Sequence, residues 1–104
     1  MNKRLAALIQ MTRAGTQDPF AWYALALEYK KEGQLEDALA TFTTLRERSP
    51  DYLPMYLMAG QMLLEAERRE AAREWLEAGI ALARTKGDGK TLSELEAALD
   101  EASE

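Results

Sequence analysis

The stretch from Trp22 to Pro50 leaves few folds open, because its large apolar and small residues recur at helical spacing twice, on either side of one glycine. Trp22, Leu25, Ala26 and Tyr29 share one helical face. After Gly33, the residues Leu35, Ala38, Leu39, Phe42 and Leu45 repeat the intervals of three and four that mark a second amphipathic helix. A turn as tight as Gly33-Gln34 makes two such helices antiparallel, and each has to bury its face in the other. Trp22, Tyr29, Ala38 and Phe42 are the expected contacts.

Start and stop signals bound both helices. Asp18 can accept a hydrogen bond from a free amide at a helix start, and Pro19 suits the first helical position. Lys30 and Lys31 suit the negative end of the helix dipole, and Gly33 can take the left-handed conformation of a cap. The second helix runs from Leu35 to about Arg48, with Glu36 and Asp37 at its positive end; Ser49-Pro50 stops it, since proline disfavours helical geometry in the residue before it. Upstream, Leu5, Leu8, Ile9 and Thr12 form a narrow stripe over residues 2–14, ended by Gly15.

Trp22, Leu25, Ala26, Tyr29, Ala38, Phe42 and Pro50 fall in register with the tetratricopeptide repeat, a helix-turn-helix unit of about 34 residues patterned W-x2-L-G-x2-Y, then A-x3-F, then proline. The chain resembles that family over one full repeat, with Ala26 where the pattern has glycine. A shift of one period brings Tyr56, Ala59, Gly60, Leu63, Ala72 and Leu76 onto the corresponding positions with size classes roughly kept. Asp51 is the expected cap for the third helix, with Pro54 in its first turn. Met55, Tyr56, Ala59, Met62, Leu63 and Ala66 are its core face; the spacing of Met55 and Met62 suits gap-filling core better than an adaptable binding stripe. The turn around Glu67-Arg68-Arg69 lacks glycine, and Arg84 stands where a proline is expected. The fourth helix, about residues 69–84, carries Trp75, Leu76, Gly79, Ile80 and Ala83 and lacks a sharp stop.

The resemblance implies an all-α fold of antiparallel helix-turn-helix repeats in a right-handed superhelix. It divides one domain, residues 1–104, into an N-terminal helix (2–14), repeat one (19–52), repeat two (53–86) and a capping helix (91–103). In the family, such a last helix covers the open end of the array. Leu92, Leu95, Leu99 and Ala102 give it an apolar face, and Thr91 with Glu94 fits a capping box. Gly89-Lys90-Thr91 copies the end of a phosphate-binding loop, but position 84 is not glycine and a helix, not a strand, precedes it, so the structural reading is preferred.

Composition narrows the chemistry. The 104 residues suffice for one core, burying roughly 65 per cent of the unfolded surface. With neither cysteine nor histidine, thiol catalysis, zinc sites with sulfur or imidazole ligands, and serine-histidine hydrolysis are excluded. No metal or cofactor is expected. The net charge of −5 comes wholly from Glu94, Glu96, Asp100, Glu101 and Glu104, since 13 basic and 13 acidic residues balance up to Lys90. Nucleic acid and anionic membrane both need a basic surface, so neither is expected as a ligand. No apolar run approaches the roughly 20 residues that span a bilayer, and the five apolar residues after Arg4 are too short for a secretory signal; a cytoplasmic protein is expected.

By resemblance, the first helices of successive repeats line a concave groove that holds a peptide segment of a partner. Transferred by register, the groove positions are Phe20, Tyr23, Leu27 and Lys30 in repeat one and Leu57, Gln61 and Leu64 in repeat two. Exposed aromatic and apolar residues at such a site can carry much of a binding energy. The lysine and asparagine that clamp a chaperone carboxylate in part of the family are absent, because Tyr23 and Leu27 occupy that face. A non-catalytic adaptor or assembly factor is the expected function. Three alternatives stay open: filling of the groove by the N-terminal helix through Leu5, Leu8 and Ile9; a structural homodimer; and a small enzyme using carboxylates such as Glu28 or Glu36. Surface ion pairs explain the last two residues as well as catalysis does.

Overall fold

A computed structural model describes residues 2–104 and shows six helices and no strand among them. They are α1 (Lys3–Arg13), α2 (Pro19–Lys31), α3 (Leu35–Arg48), α4 (Pro54–Glu65), α5 (Arg69–Lys86) and α6 (Gly89–Ala102). The chain forms two compact units, the first ending at Tyr52 and the second comprising Leu53–Glu104.

In the first unit α2 is the middle helix, packed on one side by α1 and on the other by α3. Its start follows the sequence signal: Asp18 Oδ1 accepts from the Phe20 amide at 3.0 Å, with Pro19 in the first turn. Small side chains allow the close approach, since Ala21, Ala24 and Ala26 are all buried. Against α1, Ala24 and Leu25 pack with Leu8, flanked by Leu5, Ile9 and Tyr29. Ala38 and Phe42 of α3 are completely buried.

Trp22 and Tyr29 depart from the expected packing, because both are only half-buried. Trp22 Nε1 donates to the Thr16 carbonyl oxygen at 3.2 Å, and the Arg48 guanidinium lies 4.7 Å from the ring centroid. A polar edge and a π face make the indole a strap between the α1–α2 turn and the end of α3, where phenylalanine could do only half the work. Tyr29 belongs to the α1 contact instead.

α1 is tied down by polar groups as well. Asn2 caps it, its Oδ1 accepting from the Leu5 amide at 2.9 Å, while its Nδ2 donates to Glu28 Oε2 at 3.0 Å. Arg4 Nε meets the other Glu28 oxygen at 2.9 Å. A carboxylate carried into a helix contact needs such partners, and Glu28 has them on both oxygens. The hydrogen bond from Asn2, aided by the positive charges of Lys31 and Arg4, holds its pKa below the ordinary glutamate value despite burial.

The second unit interlocks α4, α5 and α6 through two glycines. A β-carbon on Gly60 would strike the buried Leu76 side chain, 2.6 Å from its Cγ. One on Gly79 would lie 2.6 Å from Tyr56 Cβ and 3.0 Å from Leu95 Cδ2, so α4 and α6 both close on α5 there. Tyr56 and Trp75 stack at a tilt, 5.9 Å between centroids. Met55 and Met62 are buried, as their spacing indicated.

Three boundaries in this unit differ from the sequence reading. Asp51 does not cap α4: Leu53 is the cap residue, with no side-chain hydrogen bond, and Asp51 lies in the turn before it. α5 runs on to Lys86 and stops at Gly87, whose φ of 69° is left-handed. α6 starts at Gly89, earlier than position 91, because Asp88 caps it by accepting from both the amide (3.1 Å) and the hydroxyl (2.8 Å) of Thr91. Thr91 is a partner of the cap and not the cap itself. Those two bonds hold the Asp88 carboxyl below its usual range. The glycines near Lys90 serve a helix junction with no strand before it.

Candidate functional site

Phe20, Tyr23, Leu27 and Lys30 lie on one face of α2, as i, i+3, i+7 and i+10 spacing requires. That face differs from the one that receives α1, which carries Ala24, Leu25, Glu28 and Tyr29. The N-terminal helix therefore spends Leu5, Leu8 and Ile9 elsewhere, and Phe20 remains 58% exposed. Tyr23, Leu27 and Lys30 are half-buried.

The Phe20 and Tyr23 rings lie 6.4 Å apart, and a third ring, Tyr52, stands 5.3 Å from Tyr23. Tyr52 follows α3 in the turn between Pro50 and Pro54, and reasoning from helix faces passed over it. Its signal was an aromatic residue in a short, proline-bounded connection, where solvent exposure would otherwise favour a polar side chain. Burial, then the nearby Tyr52, raises the Tyr23 pKa, and burial with the Asp18 charge raises that of Tyr52. Both phenols stay neutral near pH 7, each with a hydroxyl able to donate.

In the second unit Leu57, Gln61 and Leu64 are half-buried along α4. Gln61 and Leu64 line an open cavity with Glu65, Arg69, Glu101 and Glu104, where the end of α4 meets the end of α6. Leu57 lies on the same helix face, outside that cavity.

The two carboxylates considered for catalysis do not resemble an acid-base pair. Glu28 is engaged by Asn2 and Arg4 and held ionised, which suits an anchor and weakens a base. Glu36 sits in the first turn of α3, where a negative charge offsets the dipole. Among the described residues no group of three potential ligands is placed to hold a metal ion, and no helix is long and apolar enough to cross a membrane.

A sequence model described as tetratricopeptide repeat matches residues 29–99, more than half of the chain. The chain belongs to the tetratricopeptide repeat family. A tetratricopeptide repeat domain protein of Salinibacter ruber, solved by crystallography, is 40% identical with a TM-score of 0.76, over 83% of this chain and 97% of that one. A Bordetella parapertussis protein solved in solution is 25% identical, TM-score 0.83, over 99% of this chain and 90% of its own. The TPR2B domain of yeast Sti1, solved in complex with pHsp70, shares the fold at 18% identity, TM-score 0.86, over 95% of this chain and 79% of its own. No protein of curated function matches in sequence.

Membership explains the chemistry of the α2 face. In a tetratricopeptide repeat the pattern residues serve packing, which accounts for the burial of Leu25, Ala26, Ala38 and Phe42. Phe20 and Tyr23 lie outside that pattern. As a class, tetratricopeptide repeat proteins are interaction modules that bind protein or peptide partners, typically without catalysis.

Proposed function

We propose that this chain is a non-catalytic adaptor or assembly factor that receives a segment of a partner protein. The partner-binding residues on this reading are Phe20, Tyr23, Leu27 and Lys30 of α2 and, in the second unit, Leu57, Gln61 and Leu64 of α4. The observation that carries the reading is the aromatic cluster of Phe20, Tyr23 and Tyr52. Its rings pack on one another, yet Phe20 keeps more than half its surface in water. Packing within the unit gains little from an exposed phenylalanine, whereas aromatic side chains dominate the energetics of protein interfaces. The yeast Sti1 domain, solved with pHsp70, supports partner binding by this fold. No chaperone-tail ligand is proposed for this chain, since Tyr23 and Leu27 occupy the face where a carboxylate clamp would need lysine and asparagine.

Affinity capture from the source cells, with identification of what is retained, tests the reading. Phe20→Ala and Tyr23→Ala are expected to lower capture by roughly tenfold or more while the helical circular dichroism stays unchanged. Undiminished capture by both folded variants would remove α2 from the binding surface. A second copy of the chain is the competing occupant of this face. Sedimentation is expected to show a monomer through the micromolar range, and a dimer that Phe20→Ala dissociates would assign the face to self-association instead.

A further inference from the structure

The first and last helices carry the extremes of charge in this chain. α1 holds Lys3, Arg4 and Arg13 and no acidic residue, a net +3, whereas α6 sets Lys90 against Glu94, Glu96, Asp100 and Glu101, a net −3. Every other helix lies between −1 and +1. α1 spends Leu5, Leu8 and Ile9 on α2 and leaves its opposite face in water. Lys3, Ala7 and Met11 run along that outer face at i, i+4 and i+8, with Ala14 one turn further on. Met11 is 49% exposed and, with Phe20, makes up the exposed large apolar side chains among the described residues. Phe20 belongs to the α2 face, which leaves Met11 without a place in the partner-binding reading.

The same chain carries a surface of the opposite character. Where α5 meets α6, an open cavity is lined by the apolar Ile80, Ala81 and Leu99 and by the carboxylates of Glu77, Glu96 and Asp100. Its one cation, Arg84, is already spent on Glu96 at 3.6 Å. An apolar side chain on a basic helix complements such a surface, and methionine adapts to irregular apolar walls. The signs of charge also decide how two copies meet. Contact of α1 with α1, or of α6 with α6, opposes like charges, whereas α1 against α6 pairs opposite ones.

We propose that copies of this chain associate head to tail, the outer face of α1 docking on the α5–α6 face of a second copy. Met11 enters the cavity beside Ile80, Ala81 and Leu99, and Lys3 faces its carboxylates. Such a contact is heterologous, so each copy keeps one free face of each kind and can add another. With one large apolar side chain at its centre the contact is small and weak, and it sets in near about 1 mM, above the range in which the chain is monomeric. It uses neither Phe20 nor Tyr23, and so stands apart from the partner-binding reading.

Sedimentation equilibrium of the full chain at low salt tests the proposal. At about 1 mM the average mass is expected to exceed that of the monomer by at least about half, and to fall back at about 0.05 mM. Raising the salt to about 0.5 M should reduce it. Two variants each remove one side of the contact at exposed positions, Lys3→Gln with Met11→Gln on α1 and Glu96→Gln with Asp100→Asn on α6. Each alone should associate about tenfold more weakly, with unchanged circular dichroism. Mixed, they should associate at the original strength and stop at a 1:1 dimer, because each supplies the face that the other lacks. Phe20→Ala should leave the association unchanged. A wild-type chain that stays monomeric at about 1 mM would overturn the proposal. Full association by either variant alone would overturn it too, since a symmetric contact would then join the copies. In either case the Phe20→Ala and Tyr23→Ala capture experiment still decides separately whether the chain binds a partner.

Discussion

Glu67 and Gly33 stand 34 residues apart at the same point of successive helical turns, and both have left-handed backbone, with φ of 60° and 74°. Glycine adopts that region freely, whereas a side chain costs about 1–2 kcal/mol there. The second repeat carries a local strain that the first avoids. Glu67→Gly is expected to stabilise the protein by about 0.5–1 kcal/mol, the gain being reduced by the extra freedom of glycine in the unfolded chain. Gly33→Ala is expected to destabilise it by about 1 kcal/mol. Thermal melts of the two variants should move in opposite directions, and a shared direction would refute the strain. At Gly60 and Gly79 the constraint is space. Gly60→Ala presses on the buried Leu76 side chain and on no backbone or Cβ atom, at a cost partly offset by the better helix propensity of alanine. Gly79→Ala presses on Tyr56 Cβ, which moves only with α4. Urea unfolding should show Gly79→Ala as the more damaging, by roughly 1–3 kcal/mol, and Gly60→Ala as the milder.

At the scale of the element, the least secured helix is α1, which packs chiefly on α2 through a short apolar stripe and Glu28. The lowered Glu28 pKa sets the sign of its pH dependence. Deprotonation is easier in the folded protein, so Glu28 contributes stability above the ordinary glutamate pKa. That contribution disappears as pH falls from there through the lowered folded value. Hydrogen exchange should show α1 amides losing protection over that acid window before those of α3. In Glu28→Gln they should exchange several-fold faster at neutral pH, with the acid dependence flattened. An unchanged α1 in that variant would mean that the apolar stripe alone holds the helix. Helix existence and most ends were legible in the residues: Asp18-Pro19, Gly33 and Ser49-Pro50 are local signals, and local structure obeyed them. The starts of α4 and α6 were not, because any aspartate near a helix start looks like a cap. Whether the backbone reaches it is decided by the turn, which excludes Asp51 and admits Asp88. The face with Phe20 and Tyr23 was named by register with the family pattern, and helical spacing puts the two on one side of α2. Tyr52 did not, since no periodicity links it to α2 and the chain reversal after α3 brings it there. The acid excess of the last residues was also plain from composition, but not that Glu101 and Glu104 would line one cavity with Glu65.

Across the whole molecule, burial is uneven. Among the described residues the first unit buries eight apolar side chains, four of them alanine, and the second buries fourteen, nine of them larger than alanine. Burying a leucine- or methionine-sized side chain contributes about 1.5–3 kcal/mol, alanine far less, so the two units start from different reserves. In an array of helical repeats, stability is approximately a sum of local terms and neighbour contacts, and opening can begin where the local term is smallest. The regular pattern from Trp22 to Pro50, which first carries the resemblance to the family, is on this ground not expected to be the most stable part. Conformity to a repeat pattern ensures the right contacts, while the number of large side chains behind them sets their strength. Trp22 shows the difference, being a pattern residue that is half-exposed, whereas Trp75 is buried and stacked on Tyr56. Native-state hydrogen exchange should therefore find the slowest amides in α4 and α5, with those of α2 and α3 opening at lower free energy and α1 lowest. Increasing urea should narrow the gap between the units, because the opening that frees α4 and α5 exposes more surface than the partial opening that frees α2 and α3. Equal protection in α2 and α5 would show that neighbour contacts, and not the side chains each unit buries, govern stability in this chain.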